Sequence, residues 1–513
     1  MSGPSLTTVA LSAAAVGAAR EVWLQVAFVH RARRLLATGS PGPAAELWAR
    51  WLGLPKLLGD RRKGRFELAH CLYRAGRWAE ALDECHRLEE SGPGPALLGP
   101  VRQLAADCLT RLGRADEAAA TRTAATQAFA TAQPASLYAS ELEVDHLEAQ
   151  GQWFAALRRL DDLCEALTRA LPLGGIGAPS WEYALALRLR LGRAQFRLGY
   201  YEAAMATAET VLGRVGLPVE LQHEAHLLAG RAYLELEALP QAQRDAEAAF
   251  RVANRAADRD RLIEDCLLLA EIALHRGDFV EAMRQYQRVR ECAGAGRWLA
   301  AVGEAELLEL WGRGAEATAA LDHAARLAQA TGDPRAPALV GLSAASLAAE
   351  RPTAAWALLA PTLNVDLDDP RLDIRRAALA ASLAPAVGGD PERFAGLLAS
   401  ARTDFAHDRH LLAELDAADA ARAEALGDGA TAAACLRAAL GRPCHRLLAP
   451  GLHVRLARVL AAEGDAAGAA AAWAAAAACP VPLGSVVQAR AWLAATRPAP
   501  PGSSRGAPPA TPA

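Results

Sequence analysis

Apolar residues recur along most of this chain at helical spacing, in pairs of short stripes separated by a turn. The stretch from Phe66 to Pro93 shows the unit. Leu68, Ala69 and Leu72 share one helical face, Gly76 interrupts it, and Trp78, Ala81, Cys85 and Leu88 form a second stripe that Pro93 closes. The pattern predicts two amphipathic helices joined by a tight turn. The same punctuation returns at Gly39, Gly113, Gly151, Gly199, Glu237, Gly277, Gly312, Glu350, Gly388 or Gly389, Gly427 and Gly464. Strand-like alternation of Val, Ile and Thr between hairpin turns is missing, so the fold expected is all-α.

Several of these units share more than the turn. Gly151, Trp153, Ala156 and Leu160 place turn, aromatic, small and bulky residues in order, as do Gly199, Tyr201 and Ala204, with Gly192 as the small residue of the preceding helix. Gly277, Phe279, Ala282 and Tyr286 repeat the order, and Gly230, Tyr233 and Ala242 carry most of it with Glu237 at the turn. The pattern resembles the tetratricopeptide repeat, although the mean spacing, about 39 residues, exceeds the ~34 of the tight form. In that looser spacing it is similar to the helical-repeat sensor arms of bacterial transcription activators. The resemblance implies a right-handed α-solenoid superhelix of about 11–12 stacked hairpins, in which each unit buries its stripes against the next.

On this ruler the chain divides into a capping helix or weak anchor over 1–20, well-formed repeats over 21–333, degenerate repeats over 334–403, further repeats and a capping helix over 404–497, and a disordered Pro-rich tail over 498–513. Pro352, Pro361, Pro385 and Pro391 cut helices short in the degenerate part. Ala432 and Ala467 are expected at the small position of the last repeats, and Trp473 is the large anchor in the alanine-rich run over 466–479. Leu at Ala81 or Ala156 would overpack the helix contact by ~1–3 kcal/mol. Trp78→Ala or Trp153→Ala would leave a cavity worth ~3–5 kcal/mol.

Composition sharpens this picture. Hydrophobic residues make up 52% and aromatics 5%, which suits helices that approach closely through Ala rather than a core of large rings. A net charge of −3 gives no bulk attraction to nucleic acid or anionic lipid. Nine dispersed cysteines with no paired spacing read as reduced core thiols, which points to the cytoplasm. Residues 1–19 carry no charged side chain, so membrane contact is expected only if they insert, leaving an inner-membrane anchor with a cytoplasmic body as the alternative.

Chemistry is sparse. Phosphate-loop, zincin and nucleophile-elbow motifs are absent, and Cys444 beside His445 points about 100° away from it on a helix, so no enzyme activity and no cofactor or metal is expected. The repeat resemblance instead implies that first helices line an inner face that binds a protein or peptide. Its positions would be Tyr73, Arg74, Arg111, Tyr138, Glu141, Asp145, Arg193, Phe196, Arg197, Arg231 and Glu271, with His70, Gln103, Asp107, Glu148 and Glu306 beside them. Charge alternates along that series, which suits a protein segment of mixed charge and disfavours nucleic acid, whose phosphates want a continuous cationic track. The Lys and Asn clamp of chaperone-binding repeats is not matched, since the two Lys are Lys56 and Lys63 and the two Asn are Asn254 and Asn364. The expected function is a non-catalytic scaffold or adaptor. A regulatory sensor arm and a membrane-tethered assembly factor are its alternatives.

Overall fold

Each apolar stripe becomes a helix, and consecutive helices pair in chain order. The computed structural model describes residues 28–29, 31–37, 40–54, 61–129, 137–170, 181–291, 296–442, 446–481 and 483–496. The expectations for residues 1–20, Gly39, Cys444 with His445 and the 498–513 tail lie outside these residues, as does the side chain of Tyr138. Among the described residues secondary structure is helical throughout, so the chain is an all-α solenoid of hairpins. It divides into two compact units, Met1–Ala229 and Gly230–Ala513.

The turns explain the ruler. Gly76, Gly113, Gly151, Gly199, Gly277, Gly312, Gly388, Gly427 and Gly464 all adopt positive φ, and Glu237 takes the same left-handed conformation at φ 55°. There the amide of the following residue closes a six-residue turn, as in Arg77 N to Leu72 O at 2.9 Å and Ala238 N to Tyr233 O at 2.9 Å. Glu350, the other acidic substitute, is not among the left-handed residues. Three turns add a side-chain clamp. In Gly-Arg-x-x-Glu at 76–80, 113–117 and 312–316 the arginine forks onto the glutamate three residues on, for example Arg313 Nη2 to Glu316 Oε2 at 2.6 Å. Asp258, Asp428 and Asp465 instead cap the helix that follows them by accepting a backbone N–H.

Five residues after each of these turns except Gly388, where Arg393 stands instead, is an alanine that sets how closely helices approach. Ala81, Ala118, Ala156, Ala204, Ala242, Ala282, Ala317, Ala355, Ala432 and Ala469 are all buried. The small position of the last repeat is therefore Ala469; Ala467 faces water. The aromatic position is less uniform than its spacing suggests. Tyr201 and Phe279 are buried, whereas Trp78 and Trp153 are half-buried. A truncation at either tryptophan thus removes less enclosed volume than expected.

In the degenerate stretch the prolines act at helix boundaries. Pro352 and Pro370 start the helices Pro352–Leu359 and Pro370–Leu383, while Pro361, Pro385 and Pro391 sit in 3-10 turns.

Each unit also meets itself. In the first, the helix Arg31–Ala37 touches the helix Trp181–Arg197. In the second, Val481, Leu483 and Val486 join one core with Ile263, Leu307 and Tyr286, and Glu237 accepts a bond from the Arg446 backbone N–H. The C-terminal helix Gly484–Thr496 therefore seals a core built by residues about two hundred positions earlier, besides capping the last hairpin.

Candidate partner-binding face

In the first unit four helices bring their polar residues together. The helix Arg61–Arg74 supplies Tyr73 and Arg74, Pro95–Arg111 supplies Gln103, Asp107 and Arg111, Leu137–Ala149 supplies Glu141, Asp145 and Glu148, and Trp181–Arg197 supplies Tyr183 and Arg190. The apolar stripes of the first three helices are committed to the core by Leu68, Leu72, Leu104, Cys108, Leu142 and Val144, and the cluster borders that core: Gln103 is buried and Tyr73 and Tyr183 pack against it.

Arg190 is the centre of the cluster. Its guanidinium binds Asp145 and reaches Glu148 at 2.9 Å. Burial pushes the Glu141 carboxyl up to about 7, against the opposing influence of the Tyr183 phenol and of Arg190 and Arg74. Burial likewise lifts Asp107 to about 6, although it accepts a bond from Gln103 Nε2 at 3.0 Å. Gln103 in turn bonds His146 Nδ1 at 2.6 Å, which ties the second and third helices together beneath the face. Burial also raises the Tyr73 phenol, which faces Arg111. His70, packed beneath Arg74, is pushed down to about 3 by burial and then by that cation, so it is neutral at physiological pH.

Two cations remain open. Arg74 and Arg111 are exposed, and among the described residues no carboxylate lies within ion-pair distance of either. Other arginines of this unit are engaged: Arg102 with Glu89 at 3.0 Å, Arg114 with Glu117 at 2.6 Å and Arg159 with Glu143 at 2.7 Å.

Of the residues expected from sequence, Tyr73, Arg74, Arg111, Glu141 and Asp145 fall in this cluster. Arg193, Phe196 and Arg197 have local partners instead. Arg193 binds Glu224 at 2.7 Å, Phe196 packs edge-on to Tyr201 at 5.5 Å and Arg197 lies over the Trp153 ring at 5.6 Å. Arg190 and Tyr183 escaped the sequence reading, which placed the inner positions of their helix one or more turns too late. Arg190 precedes Arg193 by three residues, so the helical period itself held the signal.

Arg231 and Glu271 belong to the second unit. Arg231 stands 3.9 Å from Glu264. Glu271 is open to water yet walled by protein, and burial with the nearby Glu235 and Glu306 carboxylates raises it to about 7 against the pull of Arg231. Buried arginine is used structurally here. Arg371 is 3.0 Å from Asp408, and the half-buried Arg375 forks onto Glu414 at 2.5 and 2.7 Å.

No family model and no curated protein sequence matches the chain. Among solved structures it is similar over 68% of its length to the apo form of RapI, at 8% identity and a TM-score of 0.44, covering 99% of that chain. It is similar over 68% to the Rap conjugation gene regulator of plasmid pLS20 in complex with the Phr* peptide, at 10% identity and a TM-score of 0.42, covering 97% of that chain. A tetratricopeptide repeat protein from Parabacteroides merdae is matched over 66% at 15% identity and a TM-score of 0.33, covering 97% of that chain. Likenesses this remote add no argument, and the fold rests on the hairpins themselves.

Proposed function

We propose that this chain is a non-catalytic adaptor whose first unit binds a protein or peptide segment on the face formed by Tyr73, Arg74, Arg111, Glu141 and Arg190, and that the segment presents carboxylates to Arg74 and Arg111. One observation carries the reading: two exposed guanidiniums on successive first helices lack the carboxylate that Arg102, Arg114 and Arg159 of the same unit have. Arg is a frequent interface anchor, and its planar fork suits carboxylate recognition. Thiols near this face support a binding role over a chemical one. Burial drives Cys71 far up and Cys108 up to about 12, the reverse of what a nucleophile needs. Buried free thiols also suit a reducing compartment, so the cytoplasm is the proposed location. Among the described residues no helix is long and apolar enough to cross a membrane.

The test is selection of a phage-displayed random peptide library on the full chain. Enriched peptides should be rich in Asp or Glu and should lose about tenfold or more in affinity against Arg74→Glu, Arg111→Glu, since each of the two contacts is worth roughly 1.5–3 kcal/mol. Peptides without acidic bias, or with equal affinity for wild type and variant, would refute the proposal.

A further inference from the structure

A separate cavity of about 690 Å³ opens in the first unit between the helices Trp153–Ala170 and Trp181–Arg197 and the turn that follows Leu212. Its apolar wall is made by Cys164, Trp181, Leu185 and Val215, and its charge by Arg188 and Arg214. That volume falls in the range of small-molecule sites.

Two features set it apart from ordinary surface. Trp181 is 42% exposed and Val215 98% exposed, so two large apolar side chains stand in water beside each other's cavity wall. The turn that presents Val215 is held in place: Gly213 N bonds Glu209 O at 2.9 Å, Arg214 N bonds Val211 O at 3.0 Å, and Gly216 closes it at φ 77°. Val215 contributes nothing to the core, and with Trp181 it gives the cavity an apolar lining exposed to water. The second feature is charge. Arg188 donates to the Thr168 hydroxyl at 3.1 Å, and among the described residues neither Arg188 nor Arg214 has a carboxylate within ion-pair distance. Among the described residues no acidic side chain lines the cavity.

We propose that this cavity binds an amphipathic carboxylate, with an apolar chain or ring laid against Trp181, Leu185 and Val215 and the carboxylate held by Arg188 and Arg214. A cationic ligand would meet two like charges and no counter-charge. A nucleobase would find no side-chain amide or carboxylate among the described lining residues to read its edge, and Thr168 is already engaged by Arg188. A carboxylate between two guanidiniums gains charge-assisted bonds that neither arginine now makes. Arg188 lies two residues before Arg190, roughly 200° around the helix, so this site and the partner-binding face use opposite sides of one element and are testable apart.

The experiment titrates the full chain with dansyl-labelled undecanoic acid and with its methyl ester, following dansyl emission. The acid should bind saturably and at least about tenfold more tightly than the ester. Arg188→Ala, Arg214→Ala should bring the acid down to the affinity of the ester. Val215→Asp should weaken both ligands while leaving the thermal melt unchanged, because that side chain is 98% exposed. Equal affinity of acid and ester for wild type, no saturable binding, or variants that bind as wild type does would each overturn the proposal. Binding of acidic peptides to Arg74 and Arg111 should be unaffected by these substitutions.

Discussion

Helix approach in this fold is set by residues with little or no side chain, and Gly303 allows the size of that effect to be worked out. It lies in the helix Arg297–Leu310, and a Cβ added there would stand 2.5 Å from Tyr286 Cε1 and Cζ and 2.6 Å from its hydroxyl oxygen. Tyr286 is 3% exposed in a core with Phe279, Val289 and Ala300, so its flat ring has little room to move. Carbon atoms settle at about 3.5–4.0 Å, so Gly303→Ala requires an opening of about 1 Å. Such overpacking costs roughly 1–3 kcal/mol. Replacing a helical glycine by alanine returns up to about 1 kcal/mol of helix propensity. The net expectation is a loss of up to about 2 kcal/mol in the second unit. Urea unfolding followed by tryptophan fluorescence, on Gly303→Ala, Tyr286→Leu and the double variant, separates the two effects. The double variant should be more stable than the sum of the single losses by about 1 kcal/mol or more, because leucine removes the ring that alanine strikes. A Gly303→Ala chain that gains stability by the full propensity increment, with additive single effects, would show that the helices do not approach as described.

Other expectations follow from burial and charge. Phe279→Ala, at a fully packed aromatic position, should cost ~3–5 kcal/mol, and Trp78→Ala, at a half-buried one, clearly less; parallel urea titrations decide. Val486→Asp would place a charge at a site with no exposure, in the core shared with Ile263 and Leu307, and should lower the melting temperature of the second unit and raise binding of an apolar dye. Glu141 is held at about 7 by burial, above its unfolded value of about 4.3, so the folded state holds its proton more tightly. The stability linked to it is complete below about pH 4 and is lost as pH rises through about 7. Glu141→Gln should therefore gain melting temperature over wild type progressively from pH 5 to pH 8; a difference independent of pH would contradict that.

Much of the fold was legible because the repeat writes two separate constraints into the chain. Only glycine takes positive φ without strain, so Gly76, Gly113, Gly277 and their equivalents mark the turns, and alanine five residues later marks close helix contact. Glu237 shows that the second constraint outlasts the first, since its turn keeps the left-handed backbone and Ala242 keeps the buried position. In the run over 466–479 nearly every residue is alanine, so the pattern lost its contrast and Ala467 was read in place of Ala469. Closure within each unit could not be read at all. Val481 and Leu483 look like ordinary apolar residues, and their partners near Ile263 are set by how successive hairpins curl. The face was half legible for the same reason. Helical period placed Tyr73, Arg74, Arg111, Glu141 and Asp145, but which arginine of Arg188, Arg190, Arg193 and Arg197 turns towards Asp145 depends on the rotation of one helix after the long step from Gly151 to Gly199.

The account stands on a partner sitting against the face built from Tyr73, Arg74 and Arg111, and photo-crosslinking addresses that most directly. Benzoylphenylalanine placed at Tyr73, with the same group at the exposed Val280 as control, would be irradiated with the peptides enriched on the wild-type chain. Adducts at the Tyr73 position and not at the Val280 position are the predicted result. Adducts at Val280 alone, or in equal yield at both, would contradict it.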